Sequence, residues 1–278
     1  YGTWTICEIE SPKGYVLSEE EIAVTIGKVD EVVEIELVNY FIKGNIALTK
    51  VDEDYPDNKL SGAVFEVYSD TNGDGKLDKD DTLLGEMKEL DGGVYQMSEL
   101  RYGKYLVKET KAPTGFVLDE DVYAVSIEEN GKTYTVENKA GVGFINAAQK
   151  GSLKIVKTSS DGKVEGFSFR VTGVDYDQTF KTDKNGEIVI EGLRIGDYTV
   201  SEVSDKASAG YILPADKQAT VKVDATAIVQ MHNEFRDTPK TGDDFNLGLW
   251  VSLAALSVVG AGVLGFVGYK NRKKKKED

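Results

Sequence analysis

Three stretches of the chain align with one another: YGTWTICEIESPKGY (1–15), YGKYLVKETKAPTGF (102–116) and IGDYTVSEVSDKASAGY (195–211). Self-similarity of this kind makes the chain a series of like units rather than one large core. The first two copies keep Glu, Pro, Gly and an aromatic at one spacing; the third has two extra residues and no proline. A second repeated element joins the units, LVNYFIKGNIALTKVD (37–52) and FINAAQKGSLKIVKTS (144–159). In both, Asn is followed by Gly five residues later and Lys eleven residues later, Asn39 to Lys50 and Asn146 to Lys157.

The repeats divide the chain into the end of one unit (1–43), a complete unit (44–150), a second complete unit (151–236) and a C-terminal region of another kind (237–278). Only a few residues connect the units, so the array is expected to be a stiff rod. Because the chain starts at Tyr1 in what reads as mid-domain, it is expected to be the C-terminal part of a larger protein. Aromatics, Val and Ile recur in short alternating runs split by Gly, Asp and Asn, which reads as all-β.

Side chains alternate between the two faces of a strand, and the repeats show what shares the apolar face. One strand carries Trp4, Ile6 and Glu8; its counterparts carry Tyr105, Val107 and Glu109, and Tyr198, Val200 and Glu202. A second carries Ile46, Leu48 and Lys50, or Leu153, Ile155 and Lys157. A third carries Ile35, Leu37 and Asn39, or Val142, Phe144 and Asn146, or Val229, Met231 and Asn233. Each complete unit is thus predicted to point one Lys, one Glu and one Asn into its core.

Buried charges pair or neutralise, because an unpaired one loses several kcal/mol of solvation. Burial lowers a lysine pKa and raises a glutamate pKa. A neutral Lys amine is a nucleophile, and the Asn carboxamide is an electrophile that can lose ammonia. A protonated Glu between them can polarise the carboxamide oxygen and shuttle protons. Held in contact, such a pair has an effective molarity of roughly 10⁵ M or more. The product is a Lys–Asn isopeptide bond, made once without turnover. The same residues also fit a buried Lys–Glu ion pair with Asn as a hydrogen-bond partner. In the middle unit Asn138 is a rival to Asn146; the spacing to the next Gly and Lys favours Asn146.

The motif YLVKETKAPTGF, with Lys on the first strand and Asn on the last, resembles the Cna B-type domains of Gram-positive adhesins and sortase-assembled pilins. The resemblance covers about 1–242. It implies tandem immunoglobulin-like, prealbumin-like (SpaA-like) β-sandwiches, with isopeptide triads Lys50, Glu109, Asn146 and Lys157, Glu202, Asn233. The first unit keeps Glu8 and Asn39. The third unit departs most, since SDKASAGY replaces the proline-containing turn.

The C-terminus carries a different signal. Residues 245–269 hold no charge and are long enough to cross a bilayer as a helix. KNRKKKKED follows, a basic cluster that places this end in the cytoplasm and the preceding chain outside. Just before the span stands Pro239-Lys240-Thr241-Gly242. The arrangement resembles the LPXTG-type sorting signal of wall-anchored proteins. That implies sortase cleavage between Thr241 and Gly242 and transfer to peptidoglycan, with Thr238 standing where the family has Leu.

Other chemistry is excluded or secondary. A net charge of −15 with no basic face argues against nucleic acid as a partner. A single cysteine, Cys7, precludes an intrachain disulfide. A single histidine, His232, nearly removes triads and zinc sites. Cys7, His232 and Lys154 all fall off the core face. The stretch 70–81 resembles an EF-hand or dockerin loop, with Asp70, Asn72, Asp74, Lys76, Asp78 and Asp81 as candidate calcium ligands. No other cofactor is required.

These readings combine into a wall-anchored surface protein, the stalk of an adhesin or of an accessory or basal pilin. A host or matrix ligand would bind domains further toward the N-terminus, and the only chemistry here is single-turnover crosslinking. Two other readings stay open. One is the stem of a surface enzyme with an upstream catalytic domain. The other is a pilus backbone, which needs a pilin-motif lysine that DYPDNK only approximates.

Overall fold

The computed structural model describes residues 1–236. The Pro239–Gly242 motif, the apolar span and the basic tail lie outside the described residues. Every regular element among the described residues is a strand.

Residues from Lys43 onward form a sandwich of two sheets. One sheet runs Thr133–Thr135, Lys43–Asp52, Val94–Arg101, Lys88–Glu89, with Phe144–Asn146 also paired to Lys43–Asp52. The facing sheet runs Thr82–Glu86, Val64–Ser69, Gly103–Lys111, Val122–Ile127. From Lys150 the plan repeats. Glu187–Arg194, Lys150–Ser159, Thr226–Phe235 and Tyr211–Ile212 face Tyr176–Lys181, Ser168–Gly173, Gly196–Glu202 and Lys217–Val221. Apolar side chains of alternate parity fill each sandwich. Ile46, Leu48, Phe65, Val67, Val107 and Phe144 are among those in one core; Leu153, Ile155, Phe169, Val171, Val200 and Met231 are among those in the other.

In both sandwiches the first and last strands run parallel to each other, while the strands beside them run antiparallel. The register is also the same. Lys50 pairs with Phe144 and Asp52 with Asn146; Lys157 pairs with Met231 and Ser159 with Asn233. The asparagine therefore sits two residues beyond the partner of the lysine, on the same face of the sheet.

The repeated glycine at the start of each first strand has a steric reason. A Cβ on Gly44 would lie 2.8 Å from Lys132 O, and one on Gly151 would lie 2.1 Å from Lys222 O. Both glycines also open a register shift, a bulge that lets the preceding connection press onto the strand.

The last strand differs between the units. In the third it is continuous, Thr226–Phe235. In the second it is broken: Thr135 pairs with Ala47 and Phe144 with Lys50. Between those pairs the first strand advances three residues and the last nine, so six extra residues loop out. That loop carries Asn138.

The first unit departs from expectation. Gly2–Cys7 pairs with Glu21–Ile26 as a two-stranded sheet, and 35–39 forms no strand. The face predicted to be core is open, with Trp4 59% exposed. No second sheet covers that face among the described residues, so alternation there does not translate into burial.

Candidate crosslinking site

In the second unit the three predicted groups meet. Lys50 projects inward from the first strand, Asn146 from the last strand beside it, and Glu109 from the facing sheet. Lys50 and Glu109 are 0% exposed and Asn146 is 3% exposed. Lys50 Nζ donates to Asn146 Oδ1 and, at 3.1 Å, to Phe144 O. It lies 3.7 Å from Glu109 Oε1 and 4.9 Å from the centre of the Phe144 ring. Asn146 Nδ2 donates to both Glu109 oxygens, at 3.1 and 2.9 Å.

The electrostatics follow from burial. It pushes the Lys50 amine down to about 8, against the pull of the Glu109 and Asp119 carboxylates. It pushes the Glu109 carboxyl up, against hydrogen bonds from the Asp119 amide and Asn146 and the charge of Lys50. A neutral amine beside a neutral acid is thus brought within reach. One expectation is corrected. Glu109 faces the carboxamide nitrogen, not its oxygen, so it is placed to deliver a proton to the departing ammonia.

Three further residues shape this site: Asp119, which the repeats did not point to, and Asn138 and Phe144, whose roles here differ from a rival acceptor and a plain core residue. Asp119 N donates to Glu109 Oε2 at 2.9 Å. Burial works to raise the Asp119 carboxyl, but hydrogen bonds from Asn138, the Asp121 amide and Tyr123 outweigh it and hold it below its ordinary value. Asn138 is no competitor for Lys50. Its Nδ2 donates to Asp119 Oδ2 and Ile145 O, and its Oδ1 accepts from Ile145 N at 2.6 Å. It braces the segment that ends in Asn146. Phe144 supplies a carbonyl and a ring face to the amine.

The third unit holds the same residues in a looser arrangement. Lys157 and Asn233 are buried, but Glu202 is only half-buried. Asn233 Nδ2 donates to Glu202 Oε1 at 2.6 Å. Lys157 Nζ turns instead to Thr158 O at 2.6 Å and lies 4.4 Å from the Phe167 ring centre. Glu202 Oε2 and Asn233 Oδ1 are buried without partners. Burial pushes Lys157 down and Glu202 up, as in the second unit.

The turn after the glutamate explains the difference. In the first two units the amide ten residues on donates to the glutamate, Ser18 to Glu8 at 2.7 Å and Asp119 to Glu109 at 2.9 Å. In the third, Asp205 takes the turn's amides, Ala207 at 2.8 Å and Ser208 at 3.1 Å. No amide reaches Glu202 Oε2. The first unit keeps half the constellation: Asn39 Nδ2 donates to Glu8 at 2.7 and 2.8 Å.

The loop 70–81 is held by its own side-chain hydrogen bonds. Asp70 accepts from the Gly73 and Gly75 amides, Asn72 from Asp74, Asp74 from Lys76, Asp78 from Asp80, and Asp81 from Thr71 and Asp78. The oxygens are turned to the loop's own amides. Among the described residues no three His, Cys, Asp or Glu side chains converge to hold a metal ion. Cys7 is exposed; His232 contacts Thr158 and Glu234, and Lys154 pairs with Glu187, all off the core face.

Fold and site together define a class: tandem prealbumin-like sandwiches with a lysine, a glutamate and an asparagine facing one another inside. The chain belongs to the SpaA prealbumin-like fold domain family, whose model matches residues 44–140 and 151–235. Among solved structures, the Bacillus anthracis TIE protein is similar at 27% identity and a TM-score of 0.64. The match covers 84% of this chain and 42% of that one, so the chain spans less than half the length of this relative. The minor pilin GBS52 of Streptococcus agalactiae matches at 17% identity, over 72% of this chain and 99% of its own, with a TM-score of 0.32. The pilus adhesin SpaC of Lactobacillus rhamnosus GG matches at 14%, over 71% and 32%, with a TM-score of 0.44. No curated protein sequence matches.

Proposed function

We propose that this chain is the stalk of a surface protein of a Gram-positive cell wall, a pilus or adhesin subunit whose sandwiches are sewn shut by their own side chains. Membership of the SpaA family supports the surface role. The observation that carries the crosslink is the contact of Lys50, Glu109 and Asn146 in a dry core. The ammonium of Lys50 passes a proton to Glu109, and the free amine attacks Cγ of Asn146. The Nζ–Cγ bond forms, Glu109 gives its proton to Nδ2 and takes the second proton from Nζ, and the Cγ–Nδ2 bond breaks, leaving the amide, a neutral Glu109 and free ammonia. No external reactant is consumed.

Anchoring rests on sequence. A sortase acting at Thr241–Gly242 would join Thr241 to peptidoglycan and release the span, which serves as a membrane stop until then. Intact-mass spectrometry of the chain tests the crosslink: one ammonia is lost per bond, and a joined Lys50–Asn146 peptide appears after digestion. A full-mass chain with both peptides separate refutes it. Wall fractions released by a muramidase test the anchor: their C-terminal residue must be Thr241.

A further inference from the structure

A repeated pattern remains unused by the crosslink. Leu-Arg-x-Gly-x-Tyr stands before each glutamate strand, at 100–105 and 193–198. The tyrosine hydroxyl fixes the arginine's backbone: Tyr105 donates to Arg101 O at 2.6 Å and Tyr198 to Arg194 O at 2.8 Å. Each arginine side chain reaches into the preceding unit or the connection from it. Arg194 Nη1 donates to Asp52 Oδ2 at 2.6 Å, and Nη2 to Asp52 Oδ1 at 2.8 Å and Asp54 Oδ2 at 3.0 Å. The pair is shielded, the two side chains being 14% and 3% exposed. The guanidinium also lies 4.9 Å from the ring centre of Tyr55.

The place of Asp52 matters. It is two residues beyond Lys50 and is the register partner of Asn146, and Glu53 N donates to Asn146 O at 3.1 Å. The connection after Asn146 is gripped from both sides. Val117 N bonds Ala147 O, Gln149 N bonds Gly115 O, and Ile195 N bonds Gln149 O. The joint before it repeats all three bonds: Val16 to Tyr40, Ile42 to Gly14, and Tyr102 to Ile42. There Arg101 lies 4.0 Å from the Phe41 ring centre.

We propose that Arg194 is a positioning residue for the Lys50–Asn146 reaction: the following unit closes over the ends of both reacting strands and holds amine and carboxamide together before the bond forms. This rests on the crosslinking reading above. The third unit is consistent with it. Ser159 stands where Asp52 stands, its hydroxyl bonds Asp161 and Lys163 O within its own unit, and Lys157 has turned from its asparagine.

The test follows ammonia loss at Lys50–Asn146 over time in freshly synthesised full chain, as wild type, Arg194→Gln and Arg194→Lys. Loss of the clasp is expected to slow the reaction about tenfold or more, within the roughly 100-fold that a 1 Å misplacement can bring. Arg194→Lys, which keeps the charge but not the two-pronged contact, is expected to fall between. Native hydrogen exchange in Thr226–Phe235 certifies that the third sandwich is folded; if it is not, Asp52→Asn breaks the contact from the other side and must show the same slowing. An unchanged rate in a folded variant overturns the proposal. A wild-type chain that never loses ammonia instead sinks the crosslinking reading. The clasp is then read from residual dipolar couplings: one alignment for both sandwiches in wild type and two in Arg194→Gln support it, and one alignment in the variant overturns it.

Discussion

Lys50 and Asn146 meet from neighbouring parallel strands, two residues out of register, with the asparagine oxygen on the amine and its nitrogen on Glu109. The offset matters because same-face neighbours on a strand lie two positions apart. It lets the lysine reach along the sheet to the carboxamide, while Glu109 closes the triangle from the facing sheet.

Glu109→Ala is therefore expected to leave the chain at full mass at this site, with Lys50 and Asn146 recovered in separate peptides. It also leaves Lys50 in the core without a carboxylate at 3.7 Å. The proposed crosslink would join residues 96 positions apart. If it constrains the unfolded chain as a disulfide does, its loss removes about 4 to 5 kcal/mol. Calorimetry should show the second unit melting well below the wild type; an equal melting temperature with the bond absent contradicts this.

The rate of bond formation is expected to be bell-shaped in pH. The pair holds one proton in the reactive state, shared between amine and carboxyl, so the rate belongs to the pair rather than to either group. At low pH both groups are protonated and no free amine exists. Burial raises the Glu109 carboxyl, so this limb lies above the ordinary carboxylate range. As pH rises through about 8 the last proton leaves Lys50 and Glu109 has none to deliver to the leaving nitrogen. Timed quenching and mass spectrometry across pH would show it. A rate that climbs steadily past pH 8 means that Glu109 is not the proton donor.

Strand parity in the repeats made Lys50, Glu109 and Asn146 legible from sequence, because one strand period decides what faces the core. What parity cannot carry is the turn that orients each group. Glu202 has the right parity, yet only half-buries, because the longer turn after it spends its amides on Asp205. Asp119 was hidden for a related reason, since it acts from a connection where no period exists; Asn138 was visible as a rival to Asn146, but its bracing role was not, because it acts from a looped-out insertion. Trp4 shows the converse, an apolar parity with no facing sheet among the described residues and 59% exposure.

The two complete units should then mature differently. In the third, Lys157 must swing from Thr158 O to the unpartnered Asn233 Oδ1, and Glu202 lacks the amide that holds Glu109. Site-resolved mass spectrometry at early times is expected to find the Lys50–Asn146 peptide first and the Lys157–Asn233 peptide later. Equal rates would mean that the turn has no influence on the reaction.

Asn138→Ala separates bracing from chemistry. Its carboxamide ties Asp119 to Ile145; removing it leaves the part-buried Asp119 to Tyr123 and the Asp121 amide and strands the Ile145 amide, a loss of about 1 kcal/mol. Ammonia loss at Asn146 should persist, more slowly, with a lower melting temperature. Asn146→Ala should abolish it. If instead Asn138→Ala abolished the adduct and Asn146→Ala spared it, Asn138 would be the acceptor.

The consequence for load follows from the parallel pairing of the first and last strands. In the proposed stalk, tension would enter the second unit along Lys43–Asp52 and leave through Phe144–Asn146, so without a crosslink these strands would shear past each other. With it, force would pass from Lys50 directly to Asn146, and the intervening residues would carry none. At roughly 3.3 to 3.6 Å per residue, the segment between them would add about 330 Å of contour length if it could unravel. Single-molecule pulling is expected to show no such step for the second unit of wild type and a step of about that length in Glu109→Ala. The same step in crosslinked wild-type molecules would place the bond outside the load path, and the stalk mechanism would fall.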